Sequence, residues 1–425
     1  MKVIHINTYA GNGGAGKACL RLNEALKKQG LDSHVAVNFL FRNNPGVHNL
    51  SEGFFSKWFT AACIVLEGIM SRLYTKPLLI PFSVPFRGKD ISNNPLIRSA
   101  DIIHLHWVNH AFLKPEDIAA LGRLNKPIVW TFHDSNAFTG GCHVRYSCDH
   151  YQNECGNCPL LKHPGPGDKS HSIWIRKYKA YQDLRLNIIA PSTWMAASVR
   201  KSKLLGTKNI VSIPNTLDMA VFKPLQKSEA RKKWGISPDK FIIMSGFMPS
   251  RKDMHKGTSY LIEALEILAV DPGIDRNSIE LVIFGNRDDK NVAAFPVSTK
   301  FLGTISGEEE LASCYNAADV FLAPSLEDNL PYTVMESLSC GTPVVAFTTG
   351  GIPDMVQHLY NGYLAEYRSS EDLAAGIKWV LDHSERGVLG RNSRKYMEDN
   401  FSEDVIARRH IELYNSLIND HHVQA

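Results

Sequence analysis

The chain has 425 residues, long enough for two domain cores of about 200 residues each. With 44% hydrophobic and 21% charged residues the composition is that of a globular protein rather than a disordered or fibrous one. A formal net charge of +4 is too small to argue for a nucleic-acid partner, and none is expected.

The opening Met1-Lys-Val-Ile-His-Ile-Asn7 turns polar at once, so it reads as a buried strand over 3–8 and not as a secretory leader. Tyr9-Ala-Gly-Asn-Gly-Gly-Ala-Gly16 follows, and then a helix with Ala18, Leu22, Ala25 and Leu26 on one face, ending at Gly30. Glycines between a strand and a helix, Gly13 and Gly14 among them, let backbone approach a ligand and offer N–H groups to a phosphate. The spacing is neither the dinucleotide fingerprint nor a Walker loop, and a purely structural tight turn remains the alternative.

Residues 54–86 are rich in aromatic and aliphatic side chains, including Trp58, Phe59, Ile64, Leu66, Leu73 and Tyr74. Glu67 interrupts the apolar run of 58–66, which is too short for a bilayer span. Lys57, Arg72, Lys76, Arg87 and Lys89 outnumber Glu67 across 54–89, so a basic amphipathic surface for anionic lipid is one reading; a core helix followed by a proline-rich loop is the other. The expected location is cytoplasmic, with a peripheral contact on the inner face of the cytoplasmic membrane as an extension of the first reading.

Asp101-Ile-Ile-His-Leu-His-Trp107 and Ile128-Val-Trp-Thr-Phe-His133 read as buried strands. His133 and Asp134 fall where a strand runs into its loop, the edge at which α/β sheets bind ligands. A neutral imidazole there can bond a sugar hydroxyl, and the neighbouring carboxylate can orient it or an acceptor. For His104 and His106 a structural role is expected. Next, Cys142, Cys148, Cys155 and Cys158 fall within 17 residues, the last two as a Cys-x2-Cys knuckle. Four thiols at such spacing suit tetrahedral structural zinc; His143, His150 and His163 leave the ligand set open, and a redox pair or no metal is the alternative.

The charged stretch 223–240 reads as a linker and first helix before a second sheet. That sheet opens at Phe241-Ile-Ile-Met-Ser-Gly246, followed by a loop carrying Arg251, Lys252 and Lys256, a cradle for a diphosphate or a solvated charge run. Glu280-Leu-Val-Ile-Phe-Gly285 and Phe301-Leu-Gly303 are further strands. The most informative stretch is Ala323-Pro-Ser-Leu-Glu-Asp-Asn-Leu-Pro-Tyr-Thr-Val-Met-Glu-Ser-Leu-Ser-Cys-Gly-Thr-Pro-Val-Val-Ala-Phe347, a strand, an acidic loop, a helix from about Tyr332 to Gly341, and a strand. The first N–H groups of that helix, near Tyr332, Thr333 and Val334, favour an anion. Glu336, one turn in, is suited to the vicinal hydroxyls of a ribose.

This stretch resembles the donor-binding signature of the retaining glycosyltransferases of family 4, in which two acidic residues flank a seven-residue spacer. Here Asp328 stands at that spacing from Glu336, with Glu327 one residue further out, so which acid reaches the sugar stays open. Lys256-Gly257 matches the family's lysine, while Phe247 occupies its usual arginine position and Arg251 would substitute. The string Thr-Phe-His-Asp, Thr-Gly-Gly-Cys-His and Cys-Gly-Asn-Cys-Pro is similar to a subgroup from bacterial polysaccharide gene clusters.

The resemblance implies an α/β chain of the GT-B class, two facing Rossmann-like domains with a cleft between them. They are set at 1–221, acceptor-side, with a cysteine-rich insertion at about 139–165, and at 222–401, donor-side. The segment 402–425 is a terminal helix packing back on the first domain. It implies a retaining transferase using a nucleotide-sugar, UDP- or GDP-linked, and a glycan or lipid-linked glycan acceptor, with no cofactor for catalysis. Catalytic roles fall to His133, Asp134, Arg251, Lys256, Asp328 and Glu336. Donor contacts fall to Gly13, Gly14, Gly246, Gly285, Glu327, Asn329, Leu330, Pro331, Tyr332, Thr333 and Glu336. A GT-B epimerase or phosphorylase, and a non-enzymatic nucleotide-sugar-binding protein, are the other function classes the residues allow.

Overall fold

The computed structural model describes every residue except 12, 41–45, 52, 78–80, 247–255, 286–294, 384–386 and 425. The chain forms two compact units, Met1–Thr216 with Ile406–Ala425, and Leu217–Val405. The division therefore falls five residues before the 221/222 boundary read from the sequence, and the returning segment begins at 406 rather than 402.

The first unit is a seven-stranded sheet of β1 (Lys2–Tyr9), β2 (Asp32–Phe39), β3 (Val47–Asn49), β4 (Ile102–Leu105), β5 (Ile128–Thr131), β6 (Leu186–Ala190) and β7 (Asn209–Ser212). All neighbours run parallel, in the order β3-β2-β1-β4-β5-β6-β7. A parallel sheet is covered on both faces, which is why β4 and β5 are apolar runs buried at every position. The second unit has six parallel strands, β8 (Phe241–Gly246), β9 (Ile279–Phe284), β10 (Ser298–Gly303), β11 (Val320–Ala323), β12 (Val344–Phe347) and β13 (Gly362–Ala365). Their order is β10-β9-β8-β11-β12-β13. Each order reverses direction once, between β1 and β4 and between β8 and β11, and a reversal leaves a crevice beyond the carboxyl ends of the two strands.

The glycine-rich turn is shorter than the sequence suggests. The helix starts at Gly13, not beyond Gly16, so the last glycines lie in its first turn. Gly13 has φ 70°, and a Cβ on Gly13 or Gly14 would meet nothing within 4 Å, so this turn is open on its outer side. Gly16 is the packed one, with Gly11 N 3.1 Å from where a Cβ would sit.

Residues 54–74 are helical, and the choice between core and surface is decided by which face is covered. Cys63 and Glu67 turn inward. Phe55, Trp58, Phe59, Val65, Leu66, Ile69 and Leu73, spaced three and four apart, form an exposed stripe, with Phe55 87% and Trp58 66% exposed. Among the described residues no helix is long and apolar enough to cross a membrane.

The terminal helix Glu403–Gln424 supplies Ile406, His410 and Tyr414 to the interior of the first unit. Tyr414 Oη lies 2.6 Å from His104 Nδ1, and His104 Nε2 lies 2.8 Å from Thr131 Oγ1, so both nitrogens of this fully buried ring are engaged. Replacing Tyr414 with Phe leaves His104 Nδ1 buried without a partner, a loss of about 1–3 kcal/mol. The variant should melt several degrees below the wild type; an unchanged melting temperature would show that the bond contributes nothing to holding the helix.

Candidate functional site

In the second unit the reversal brings the residues after β8 and after β11 together. Lys256 Nζ lies 3.2 Å from Asp328 Oδ2, each side chain partly exposed. The loop bearing Asp328 is fixed by contacts that tolerate no side chain. A Cβ on Gly257, at φ 66°, would stand 1.9 Å from Pro324 O, and one on Gly350, at φ 56°, 1.8 Å from Asp328 O. Gly351 N donates to Asp328 O at 3.0 Å and Thr349 Oγ1 to Leu326 O at 3.0 Å. Thus the Gly350-Gly351 loop after β12 props the acidic loop from beneath.

The predicted donor residues divide by exposure. Asp328, Asn329, Tyr332 and Thr333 are partly exposed; Glu327, Leu330 and Pro331 are buried, and Leu330 packs in the core of the unit. Glu336, in the helix Tyr332–Ser339, is 2% exposed and accepts a bond from Tyr315 Oη at 3.1 Å. Burial, and then the Glu336 charge, push the Tyr315 hydroxyl well above its ordinary pKa, so it stays a donor. Tyr315 is a positioning residue that the sequence did not single out. It sits in a helix four residues before β11 and carries no motif of its own. Gly246 and Gly285 were expected to admit a nucleotide. The Phe284 ring would lie 2.3 Å from a Cβ on Gly246, so packing alone requires that glycine, while Gly285 takes φ 130° and donates to Gly303 O. Arg251 and Phe247 lie outside the described residues.

In the first unit the reversal joins β1 to β4. Trp107 N donates to Asn7 Oδ1 at 2.8 Å, Thr8 Oγ1 to Trp107 O at 2.9 Å, and Tyr9 Oη lies 2.9 Å from His110 Nδ1. His133, two residues beyond β5, is 3.1 Å from His106 Nδ1 through its Nε2, and His106 Nε2 is 3.0 Å from His5 Nδ1. Burial, opposed by Asp134, lowers His133 to about 4, and burial lowers His5 to about 3, so these rings are neutral at pH 7.

Asp134 is held by several hydrogen bonds. Its Oδ2 accepts from Trp107 Nε1 at 2.8 Å and His143 Nδ1 at 2.6 Å, and its Oδ1 from Asn136 N at 2.8 Å. Burial alone would raise this carboxyl, but His143, Asn136 and Trp107 outweigh it and hold the group below the usual value. Because a carboxylate only accepts, His143 carries its proton on Nδ1 and receives the Ser83 hydroxyl on Nε2, at 2.9 Å. Asp134 therefore braces the loop after β5 through His143.

Glu67 emerges only in three dimensions. It is 3% exposed, bonded by Ala111 N, and burial raises its pKa to about 7 against bonds from Ala111, Ser83 and Val84 and the His143 charge. The cysteines of the insertion, Cys142, Cys148, Cys155 and Cys158, line one small cavity. Burial pushes Cys155 up to about 12 and Cys142 and Cys158 upward as well, so these three are not reactive thiolates. His143 is committed to Asp134 and Ser83, and His150 Nδ1 to Gly156 O at 2.8 Å, which removes His143 from any ligand set.

Residues 12–221 match the family described as Glycosyltransferase Family 4, and residues 226–400 that described as Glycosyl transferases group 1. The chain belongs to glycosyltransferase family 4. As such it is a glycosyltransferase of the GT-B class, a sugar-transferring enzyme. The protein named as colanic acid biosynthesis glycosyl transferase WcaC of Escherichia coli (strain K12) is 22% identical over 84% of this chain and 85% of its own. An uncharacterized glycosyltransferase of Methanocaldococcus jannaschii is 27% identical over 44% of this chain and 48% of its own. Against most of the curated relatives the match spans about half of their length. The family 4 fold is also that of the sucrose-phosphate synthase of Thermosynechococcus elongatus, at TM-score 0.66 and 17% identity over 99% and 100% of the two chains. HepE of Anabaena in complex with UDP-glucose gives TM-score 0.64 and 17% identity over 98% and 100%.

The raised pKa of Glu67 makes a prediction with a definite sign. Its folded value exceeds the unfolded one of 4.5, so the stability tied to the protonated form is complete below pH 4.5 and is lost as pH rises through about 7. The loss should approach roughly 3 kcal/mol. Glu67→Gln cannot ionise. Denaturant midpoints at pH 5 and pH 8 should therefore fall more for the wild type than for the variant, and parallel falls would place the titration elsewhere.

Proposed function

We propose that this glycosyltransferase moves a sugar from a UDP- or GDP-sugar to a hydroxyl of a glycan or lipid-linked glycan, with retention at the anomeric carbon, in bacterial cell-surface polysaccharide biosynthesis. The observation that carries the reading is the meeting of Lys256 and Asp328 at the reversal of the second sheet, beside the helix that holds Glu336. Breaking the glycosidic bond to the diphosphate leaves negative charge on phosphate oxygens and positive character at the anomeric carbon. Lys256 and the helix start at Tyr332 and Thr333 stabilise the first. Arg251, five residues before Lys256 in the sequence, would add a second cation. The partly exposed Asp328 is the acid placed to bond a donor sugar hydroxyl; Glu327 is buried. Glu336, oriented by Tyr315, takes the ribose hydroxyls, and neutral His133 bonds a sugar hydroxyl near the reacting carbon. With no carboxylate assigned as a covalent nucleophile, attack proceeds from the face of the departing diphosphate, whose oxygen receives the acceptor proton.

Relatives and structural neighbours support this choice of substrates. HepE of Anabaena was crystallised with UDP and with UDP-glucose. A relative in Campylobacter jejuni, 24% identical over 48% of this chain, is named for transfer to a diphospho-undecaprenol-linked sugar. A lipid-linked acceptor also gives the exposed stripe of the helix Phe54–Tyr74 a use, as a peripheral contact with anionic membrane. The stripe is apolar, Arg87 stacks over Phe59 at 4.2 Å, and Lys57, Arg72, Lys76 and Lys89 lie near it in the chain.

A UDP- or GDP-sugar should raise the melting temperature of the purified protein, since it binds only the folded state. Glu336→Gln should weaken that nucleotide tenfold or more, losing a charged hydrogen bond of about 1.5–3 kcal/mol. Free nucleoside diphosphate should appear only when acceptor is added. Release without acceptor, or wild-type turnover by Glu336→Gln, would overturn the reading. Separately, the protein should float with vesicles containing phosphatidylglycerol and far less with phosphatidylcholine alone, and Trp58→Glu should reduce flotation several-fold. Equal flotation with both vesicles would remove the charge argument.

A further inference from the structure

The proposed sugar chemistry uses no residue of the cysteine-rich insertion, whose four thiols nevertheless border one cavity. Cys142, Cys148, Cys155 and Cys158 border a single cavity of about 20 Å³, room for one water-sized particle and thus one ion. Their backbone is bent to put them there. Cys155, Gly156 and Asn157 have φ 48°, 122° and 47°, three consecutive residues in a region that side chains rarely adopt. A Cβ on Gly156 would stand 2.6 Å from Pro166 O. This knuckle turns the sulfurs at both ends of Cys-Gly-Asn-Cys toward the cavity.

Two further features would stabilise negative charge on the sulfurs once they bind a cation. Gly140 N donates to Cys155 Sγ at 3.2 Å. Backbone N–H groups aimed at sulfur stabilise thiolate far more than neutral thiol, whose sulfur is a weak acceptor. Lys177 supplies the second feature. It is 4% exposed, and its ammonium bonds Asn136 O, Asn136 Oδ1 at 3.4 Å and Thr139 O at 3.0 Å, all neutral oxygens. Cys142, Cys155 and the buried Asp134 carboxylate all act on its charge. A buried cation held by neutral acceptors calls for a nearby anion.

We infer that Cys142, Cys148, Cys155 and Cys158 bind one structural zinc ion as a tetrathiolate, with Lys177 as the buried counter-cation. Binding exchanges four S–H bonds for four Zn–S bonds and releases four protons, leaving a centre of charge −2 that Lys177 partly offsets. The sulfurs stand wider than ligands would. Among the described residues the group that brings three ligand atoms within 4.8 Å is His5, Cys19 and His106. Zn–S bonds of about 2.3 Å require sulfurs about 3.8 Å apart, so the thiols close inward on the ion. In the His5 group, two of the three ligands already bond each other at 3.0 Å. Zinc at the cysteines would fix more than the insertion. Lys177 belongs to the helix Lys169–Tyr181 and grips Asn136 and Thr139, on the loop just after His133 and Asp134.

The test uses the full chain purified under reducing conditions without a metal-affinity step. Elemental analysis should find about one zinc per chain, and releasing it should expose four additional thiols to a thiol reagent. Cobalt exchanged into the site should give the charge-transfer and visible bands of a tetrahedral tetrathiolate. Cys19→Ala should keep its zinc, whereas Cys155→Ser should lose most of it. Should Cys155→Ser fail to fold, the wild-type cobalt spectrum decides. A metal-free protein after growth with added zinc, disulfides among the four cysteines by mass spectrometry, a cobalt spectrum without sulfur charge transfer, or loss of zinc in Cys19→Ala would each overturn the assignment.

Discussion

A parallel sheet wound in both directions from its first strand must have one pair of neighbours whose connections depart to opposite faces. That reversal, between β8 and β11 and again between β1 and β4, is the constraint on which the rest depends. It leaves the loops after the two strands with no crossover packed between them, so their side chains meet each other and any ligand. Lys256 and Asp328 meet there, 72 residues apart in sequence. The glycines at 257 and 350 are consequences of the same crowding: each lies under a carbonyl of the acidic loop that any Cβ would strike.

In the first unit the analogous region is built largely from histidines in hydrogen-bonded chains. His5, His106 and His133 bond in series, His104 is closed off by Tyr414 and Thr131, and Ser83, His143, Asp134 and Trp107 form a separate chain. Burial makes the imidazolium forms of His5, His104, His106 and His133 expensive, so these four rings act as hydrogen-bonding struts rather than as charges. The terminal helix enters through this network, since His104, in β4, takes the hydroxyl of Tyr414. The loop after β5 is thus braced on one side by His143 and on the other by Lys177, and the inferred zinc would lock the second brace.

The helix Phe54–Tyr74 shows how an unambiguous pattern can carry an ambiguous meaning. An apolar stripe at three- and four-residue spacing predicts a helix whichever way the stripe faces. Only the packing of Cys63 and Glu67 inward reveals that the stripe is turned out. Glu67 read as one charge in a basic patch; its folded surroundings make it a buried acid with a pKa near neutrality.

Local chemistry was enough to establish the alternation of strands and helices, the two sheets, the acidic loop and helix from Asp328 to Glu336 and the cluster of four cysteines. Apolar periodicity, helix-start residues and cysteine spacing act over fewer than about 20 residues and are written in the chain. The sequence could not assign Asp134 to His143, reveal Tyr315 behind Glu336, or place Lys177 against Asn136 and Thr139. Each of those is a contact between residues brought together by the sheet order, and burial, which sets both charge state and hydrogen-bond partner, is a property of the packed fold and not of any stretch of sequence.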